Sequence, residues 1–399
     1  MKLFIMITLY VLAAFLSTAA LFTPAYAVLD PERRHPVLAA APVLVSAVMF
    51  AFPLAGALIP DGPLCRFFQR WGNVFLGFIL YFFVPLLLAR AVLAVIPGGG
   101  GAKNIPKRNG PARRIFAVLL SALFIFSLCV NVFGAMAARD VKVTRYEIPK
   151  ETLGLETAAR IVLVSDLHMG VNSGIKLYED MVSRINEQDA DVVAVTGDIV
   201  TSSFGAMPDR DACAAVLSGI RSKCGVYVVY GNHDVEEPLL GGFTYVGAEK
   251  AYRHPDMEAF LRDCGWTLLT DEVTRLPEPY GFYIAGRRDE SRPGDGVTER
   301  APLAQLLEGV DPSAPILLLE HEPSDLDTMG GLGVDLSLSG HTHDGQIFPG
   351  NVFARIKGPQ SYGMKQWGTA TAVVTSGVGY YGPPIRFGTI SEIVVIDAV

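Results

Sequence analysis

Four long apolar segments occupy the first third of the chain and constrain its fold more than any other feature. They cover residues 3–24, about 38–59, 72–96 and 115–138. Each is close to the roughly 20 residues that a helix needs to cross the hydrocarbon core of a bilayer. Charged residues are nearly absent inside these segments, with Arg90 the one clear exception, which argues against buried helices of a soluble protein. We therefore predict four transmembrane helices and an integral, multi-pass protein of a lipid bilayer.

The first apolar segment has a second interpretation. Lys2, the apolar stretch and the tripeptide Ala25-Tyr26-Ala27 are typical of a signal peptide with a small-residue cleavage site. The apolar part is long for a signal peptide, so we favour a retained helix. Cleavage stays open as the alternative.

The charges between the segments predict an orientation. Residues 97–114 contain five basic residues and no acidic residue, and such loops face the cytoplasm. Arg33 and Arg34 fall on the same side of a four-helix topology. The chain after the fourth helix then emerges outside, so we expect an extracytoplasmic C-terminal region. Three basic residues just after that helix oppose this orientation: Arg139, Lys142 and Arg145.

From about residue 146 the pattern changes to short apolar runs that alternate with amphipathic segments. We predict strands over 160–166, 191–198, 225–234, 282–287, 315–321, 335–341 and 388–396. We predict helices over 175–188, 209–222 and 256–264. Strands that alternate with helices indicate an α/β core. The sequence therefore predicts a membrane region over residues 1–140 and one α/β domain over 146–399.

Composition excludes several classes of protein. The net charge is −7 and the isoelectric point is about 5.6, whereas a general nucleic-acid binder carries a basic face. We therefore expect no nucleic acid as a partner. The five cysteines form no Cys-x-x-Cys pair, so they indicate neither a disulfide framework nor a zinc–thiolate site.

Polar residues gather where the predicted strands end, and five of the seven histidines are among them. In chain order they are Asp166, His168, Asp198, Asn232, His233, Asp234, His321, His341 and His343. Ligands of α/β sheets bind beyond the carboxyl ends of the strands. We therefore expect these residues, which are far apart in the sequence, to lie together.

These residue types favour a site for divalent metal ions. Carboxylate, imidazole and amide donors without thiolate suit first-row ions such as manganese, iron or zinc. In the pair His341-x-His343 the i, i+2 spacing places both side chains on one side of an extended segment, so both can reach one metal cluster. Each motif alone has an ordinary explanation, such as a turn at Gly231-Asn232-His233-Asp234. Their occurrence together favours the metal site.

The five motifs resemble those of the calcineurin-like metallophosphoesterase superfamily. They read SDLHMG, TGDIV, YGNHD, LEHEP and SGHTHDGQ, in this order, over about residues 160–345. The C-terminal stretch SGVGYYGPPIRFGTISEIVVI is similar to the end of a branch of membrane-linked bacterial phosphoesterases. The resemblance implies an α/β fold built as a two-sheet β sandwich flanked by helices, preceded in this chain by the bundle of transmembrane helices.

The resemblance also implies a role for each motif residue. The first of two metal ions would be held by Asp166, His168 and His343, and the second by Asn232, His321 and His341. Asp198 would bridge the two ions. His233 would contact the phosphate and protonate the leaving oxygen, with Asp234 orienting it. The implied activity is hydrolysis of a phosphomonoester or phosphodiester by a hydroxide held between the ions. No Gly-x-Ser-x-Gly nucleophile motif accompanies these residues.

Two positions depart from the family pattern. Thr201 stands where the Gly-Asp motif often continues with a second acidic residue, and Asp344 stands where relatives often have glycine. Asp344 is next to a predicted ligand and could tune it. Tyr380 and Tyr381 could line the entrance of the site or serve only in packing.

Three functions remain open from the sequence. The favoured one is a membrane-anchored phosphohydrolase that acts on a phospholipid, nucleotide-lipid or cell-envelope phosphate ester. The second is a membrane sensor or scaffold whose domain binds a ligand without turnover. The third is a nuclease, which requires a basic groove, and residues 146–399 contain no basic cluster of the needed length. No oligomeric state is predicted.

Overall fold

The chain divides into two compact units. The structure is a computed structural model that describes residues 2–29, 36–59, 62–95, 111–201, 203–207, 209–237, 239–240, 243–244 and 252–399. The first unit comprises Met1–Gly134, Leu239–Val246 and Gly382–Pro384. The second unit, which carries the sequence motifs, comprises Ala135–Pro238, Gly247–Tyr381 and Ile385–Val399.

Helices dominate the first unit. They are α1 (Lys2–Leu29), α2 (Pro36–Leu58), α3 (Pro63–Phe78), a π-helical segment (Ile79–Phe83), α4 (Val84–Val95) and α5 (Pro111–Ala137). Three stretches are long and apolar enough to cross a membrane: Ala40–Leu58, Pro63–Val92 and Arg114–Ala137. They coincide with the second, third and fourth predicted segments. Within α1, which covers the first predicted segment, the described residues include a shorter apolar helical stretch, Ile7–Ala19.

Aromatic packing joins these helices to one another. The rings of Phe50 on α2 and Phe83 of the π-helical segment lie 5.3 Å apart, centroid to centroid. A Cβ atom at Gly72 would lie 2.9 Å from the backbone of Pro53. Small residues allow membrane helices to approach this closely.

Most of the residues that predicted the orientation fall outside the described part of the chain. They include Arg33, Arg34 and residues 97–110 of the basic loop. The side of the membrane on which the second unit lies therefore stays a prediction.

Two six-stranded sheets form the second unit. In chain order the strands are β1 (Val141–Ile148), β2 (Ala159–Val164), β3 (Val192–Thr196), β4 (Val226–Val229), β5 (Leu239–Leu240), β6 (Phe243–Thr244), β7 (Thr267–Leu268), β8 (Glu272–Arg275), β9 (Tyr283–Gly286), β10 (Ile316–Leu319), β11 (Leu336–Ser339), β12 (Gly363–Trp367), β13 (Ala370–Val374) and β14 (Ser391–Ala398). One sheet has the order β1-β14-β2-β3-β4-β7 and the other β12-β13-β11-β10-β9-β8. The strands β5 and β6 form a separate hairpin, whose residues belong to the first unit.

Both faces of the central strands are buried, which explains their continuous apolar sequences. Leu163 of β2 lies in the core between the two sheets, together with Leu319 of β10 and Leu338 of β11. Val162 and Val164 point the other way, into the core beneath the helices. The two-sheet sandwich expected from the family resemblance is confirmed.

Helices cover the sheets on their outer faces. They are α6 (Ile175–Asn186), α7 (Arg210–Leu217), α8 (Met257–Asp263) and α9 (Leu303–Leu306). A further helix, α10 (Gly350–Lys357), has no buried residue. The three predicted helices correspond to α6, α7 and α8, and the seven predicted strands correspond to β2, β3, β4, β9, β10, β11 and β14. The sequence did not predict β1, which pairs in parallel with β14 and includes residues 141–145, between the two predicted domains.

Candidate metal centre

The ends of five strands from the two sheets converge at one edge of the sandwich. Backbone hydrogen bonds tie the loops together: the Asp166 amide donates to the Gly197 carbonyl at 3.0 Å. The His341 amide faces both carboxylate oxygens of Asp166 at 3.2 Å. Loops after β2, β3 and β11 are therefore fixed to one another directly.

The first group of donors consists of Asp166, His168 and His343, all of them buried. The Nε2 atoms of the two histidines lie 2.9 Å apart. The Asp166 Oδ1 atom lies 3.4 Å from His343 Nε2 and 3.9 Å from His168 Nε2. One carboxylate oxygen and two ring nitrogens thus face a common point, as the ligands of a small cation do.

The second group consists of Asp166, Asp198 and His321, also buried. Asp198 Oδ2 lies 3.1 Å from His321 Nε2 and 3.6 Å from His168 Nε2 in the first group. Asn232 Oδ1 lies 3.1 Å from His321 Nε2 and 3.0 Å from His341 Nδ1. All seven predicted ligands therefore lie together, and Asp198 lies between the two groups.

Unusual backbone conformations mark the same loops. Seven non-glycine residues there have φ between 48° and 70°: Asp166, His168, Asp198, His341, His343, Asp344 and Gln346. Such left-handed conformations are unfavourable for residues with a Cβ atom and gather at functional sites. Position 340 in the same loops requires glycine, because a Cβ atom at Gly340 would overlap Ser165 and Asp166.

The Nδ1 atoms of His321 and His168, opposite the Nε2 atoms that face the other donors, contact neighbouring groups. His321 Nδ1 lies 2.7 Å from the Thr196 carbonyl oxygen, so Nδ1 carries the proton and Nε2 is free to bind a cation. His168 Nδ1 lies 2.7 Å from the Thr201 hydroxyl. Partners of this kind orient metal-binding imidazoles. Thr201, where the family often has an acidic residue, therefore supports a ligand.

Burial and charge set the protonation of the site. Burial lowers the pKa of His168 to about 3 and also lowers the pKa of His343, so both rings are neutral. Although burial acts to lower the pKa of His321, the Asp198 carboxylate raises it well above its ordinary value. The carboxylates thus favour a positive charge at this position, whether a proton or a metal ion.

Glu237 and Arg292 surround His233, and the sequence did not predict either residue. Glu237 Oε1 lies 2.5 Å from His233 Nδ1, and its other oxygen accepts a hydrogen bond from Arg292. The Tyr381 ring packs on the imidazole, with centroids 4.3 Å apart. Although burial acts to lower the pKa of His233, Asp198 and Glu237 raise it. A protonated His233 suits the donation of a proton.

The structure corrects the expected role of Asp234. Its Oδ1 atom accepts hydrogen bonds from the Ile199 and Val200 amides at 2.8 and 3.0 Å. Its Oδ2 atom accepts one from the Gly231 amide at 2.7 Å. Asp234 therefore fixes the loops after β3 and β4, and Glu237 orients His233. The i, i+4 spacing of His233 and Glu237 was the available signal, but this segment forms no helix, so the spacing alone could not predict the contact.

Arg386 and Tyr380 lie behind the site and hold neighbouring loops. Arg386 is fully buried, and its Nη2 atom donates to the carbonyls of Ser376 and Gly379 at 2.6 Å. This holds the loop before β14 against Asp166, since the Gly379 amide donates to the Asp166 carbonyl at 2.7 Å. Of the two tyrosines, Tyr381 lies at the site, whereas Tyr380 is buried and its hydroxyl donates to the Asn172 carbonyl at 2.9 Å.

The donor set fits two divalent ions. Two groups of buried carboxylate and imidazole ligands share Asp166, and they contain nitrogen and oxygen donors without sulfur. That chemistry suits manganese, iron or zinc. Buried carboxylates without a compensating cation are costly, so the arrangement is more consistent with bound metal than with a site that only stabilises the fold.

Known proteins with similar sequences carry the same domain. Residues 159–345 match the calcineurin-like phosphoesterase family. A transmembrane protein with metallophosphoesterase domain from Danio rerio is 30% identical over 361 residues, or 84% of this chain and 77% of the relative. An uncharacterized metallophosphoesterase from Campylobacter jejuni is 27% identical over 288 residues, or 71% of this chain and 70% of the relative.

A solved structure is also similar, but only weakly. A dimetal phosphatase from Danio rerio covers 60% of this chain and 99% of its own, with 14% identity and a TM-score of 0.35. That score is too low to bear on fold or activity. The sequence matches, together with the sandwich and its strand-end ligands, place this chain in the calcineurin-like metallophosphoesterase family.

Proposed function

We propose that this protein is a membrane-anchored, metal-dependent phosphohydrolase that cleaves a phosphate ester with two divalent ions. The observation that carries the proposal is the convergence of seven nitrogen and oxygen donors from five strand ends on two adjoining points. Asp166, His168 and His343 would hold one ion, and Asn232, His321 and His341 the other. Asp198 would contact both.

The chemistry divides between the ions and the chain. Two divalent ions held by these residues would supply positive charge for the phosphate oxygens and would lower the pKa of a water molecule. His233 would donate a proton to the leaving oxygen, since Asp198 and Glu237 raise the pKa of its imidazole against the effect of burial. Glu237 and Arg292 would hold the imidazole in position, and Tyr381 would limit its rotation.

The location of the enzyme follows from the helices of the first unit. Three of them are long and apolar enough to cross a bilayer, so we propose an integral membrane protein. The basic loop over residues 97–114 supports a cytoplasmic position for that loop and an extracytoplasmic position for the second unit. A phosphomonoester or phosphodiester of a lipid or of the cell envelope would then be within reach.

Hydrolysis of two synthetic esters by the full chain in detergent tests the proposal. p-Nitrophenyl phosphate and bis-p-nitrophenyl phosphate would be assayed with Mn²⁺, then with excess chelator. We expect turnover that chelator abolishes and fresh metal restores. The relative rates would also decide between a monoesterase and a diesterase.

A matched pair of histidine variants provides the control. His341→Ala removes a proposed ligand, whereas His254→Ala removes a histidine that stacks on Phe204, 5.0 Å between centroids. We expect loss of turnover in the first variant and parental turnover in the second. Hydrolysis that survives both chelator and His341→Ala would disprove the assignment of the site. A folded, metal-loaded protein without turnover would favour a sensor or scaffold.

A further inference from the structure

The short helix that follows the histidine pair has an exposed apolar face. Val352, Phe353 and Ile356 lie on one side of α10, and Phe348 precedes the helix; all four are exposed. Phe353 is 67% exposed and Ile356 is 76% exposed. These four residues are called the α10 face below. Apolar side chains of this size are normally buried, and a contiguous exposed set indicates an interaction surface.

The charge of the surrounding sequence is unusual for this chain. Residues 345–391 contain no aspartate or glutamate, although the chain as a whole has a net charge of −7. The same stretch contains four basic residues. Lys357 is exposed on α10, and Arg355, which is also exposed there, forms an ion pair with Asp344. An apolar face bordered by basic residues is typical of a helix that lies in the surface of an anionic membrane.

The helix is connected directly to the metal centre. Arg355 Nε donates to Asp344 Oδ1 at 3.0 Å, and Arg355 Nη2 donates to Asp344 Oδ2 at 2.7 Å. Asp344 is buried and follows the proposed ligand His343 directly. The ion pair therefore fixes α10 relative to the metal centre, while Phe353 and Ile356 on the same helix are exposed to solvent.

We propose that the α10 face docks on the surface of an anionic lipid bilayer and holds the metal centre at the level of the headgroups. The substrate class is then a phosphate ester carried by a membrane lipid, an assignment that rests on the proposed phosphohydrolase function. The bilayer is the occupant that the chain itself provides, because three of its helices are long and apolar enough to cross one.

Fluorescence quenching in nanodiscs tests the docking independently of any activity. The full chain would carry Phe353→Trp in nanodiscs of phosphatidylcholine and phosphatidylglycerol with brominated acyl chains. The matched control is Lys176→Trp on α6, where the native side chain is 81% exposed. We expect the brominated lipids to quench most of the added emission of the first variant and little of the second. Equal quenching in both variants, or none in the first, would overturn the docking.

A double variant tests the consequence for catalysis. Phe353→Asp/Ile356→Asp keeps Arg355 and its ion pair with Asp344. The parent and the double variant would each be assayed with two esters. One is soluble bis-p-nitrophenyl phosphate, and the other is hexadecyl p-nitrophenyl phosphate dispersed in the same nanodiscs. We expect turnover of the lipid ester to fall about tenfold or more in the variant, since charged side chains would replace the apolar side chains that the docked bilayer would bury. Turnover of the soluble ester should stay at the parental rate.

The two readouts separate the possible failures. Equal losses on both esters would mean that α10 supports the structure of the site, and this would overturn the docking proposal, as would an unchanged rate on the lipid ester. If the parent hydrolyses neither ester, the proposed phosphohydrolase function fails, whereas the quenching experiment still decides whether the α10 face contacts the bilayer.

Discussion

The interiors of the strands and their ends differ in the kind of side chain that each buries. In the interiors, side chains such as Leu163, Leu319 and Leu338 are completely buried among other apolar groups. At the ends, carboxylates and imidazoles are buried on left-handed backbone. Apolar burial stabilises a fold, whereas buried charge and backbone strain cost free energy. The comparison indicates that the interiors support the ends, and that the buried carboxylates at the ends favour a compensating positive charge.

The largest expected effect separates activity from stability at the strand ends. Asp198→Asn keeps the oxygen that accepts the His233 amide at 2.8 Å but removes the charge between the two metal positions. We expect kcat/KM to fall by about 10³-fold or more, as when other central catalytic groups are removed. Chemical unfolding of the metal-free variant should show a much smaller effect, because the substitution removes a costly buried carboxylate but also the charged partner of the His321 imidazole at 3.1 Å. Parental activity in this variant would contradict the role of Asp198.

The converse substitution lies inside a strand. Leu338→Ala leaves a cavity in the core between the sheets, where the native side chain has no exposed surface. We expect a loss of about 2–5 kcal/mol in the free energy of unfolding, with kcat/KM unchanged under conditions where the protein is folded. Denaturant titration and steady-state kinetics on one preparation would measure both. A large loss of kcat/KM in folded protein would show that strand interiors and ends are not separable.

The same comparison explains what the sequence could predict. Long apolar runs are visible in the sequence because β2, β3, β10 and β11 are buried on both faces, and the ligands follow those runs directly. In contrast, β12 has exposed residues in its middle and reads Gly-Met-Lys-Gln-Trp, so its strand character depends on pairing with β13.

The supporting residues were beyond prediction for a related reason. Glu237 meets Arg292 across 55 residues, and Arg386 meets the loop that holds Asp166 through tertiary contacts alone. The assignment of Asp234 to His233 failed because the loop turns the carboxylate back onto three amides. Ligand identity depends on local motifs, whereas the orientation of each ligand depends on the assembled fold.

A smaller effect is expected where Glu237 orients His233. Glu237→Gln keeps the size of the side chain but removes the charge that, after Asp198, raises the pKa of His233. We expect kcat to fall by about 10- to 100-fold, as for other partners of catalytic histidines. The loss should be larger for alkyl esters, which need a proton on the leaving oxygen, than for p-nitrophenyl esters. An equal loss on both would indicate a merely structural role.

The smallest effect concerns a carboxylate far from the metal positions. Burial acts to raise the pKa of Asp191. Hydrogen bonds from Lys223, Tyr280 and the Arg160 amide outweigh this effect, so the pKa is lowered. Its contribution to stability is therefore present above the ordinary pKa of about 4 and is lost as the pH falls through the lower folded value. Asp191→Asn should cost about 1–3 kcal/mol at neutral pH.

Unfolding curves at several pH values would check this expectation. The difference between Asp191→Asn and the parent should shrink steadily below about pH 4, where the parental carboxylate takes up its proton. A difference that is independent of pH would show that the charge of Asp191 contributes nothing.

The metal content of the purified full chain tests the central claim most directly. After loading with Mn²⁺ and removal of free metal, elemental analysis should find two ions per parent chain. His343→Ala and His321→Ala, which remove one ligand from each group, should each retain fewer ions, and His254→Ala should match the parent. A folded parent chain that binds no metal, or the same metal content in all four proteins, would contradict the assignment of the strand ends as a dinuclear centre.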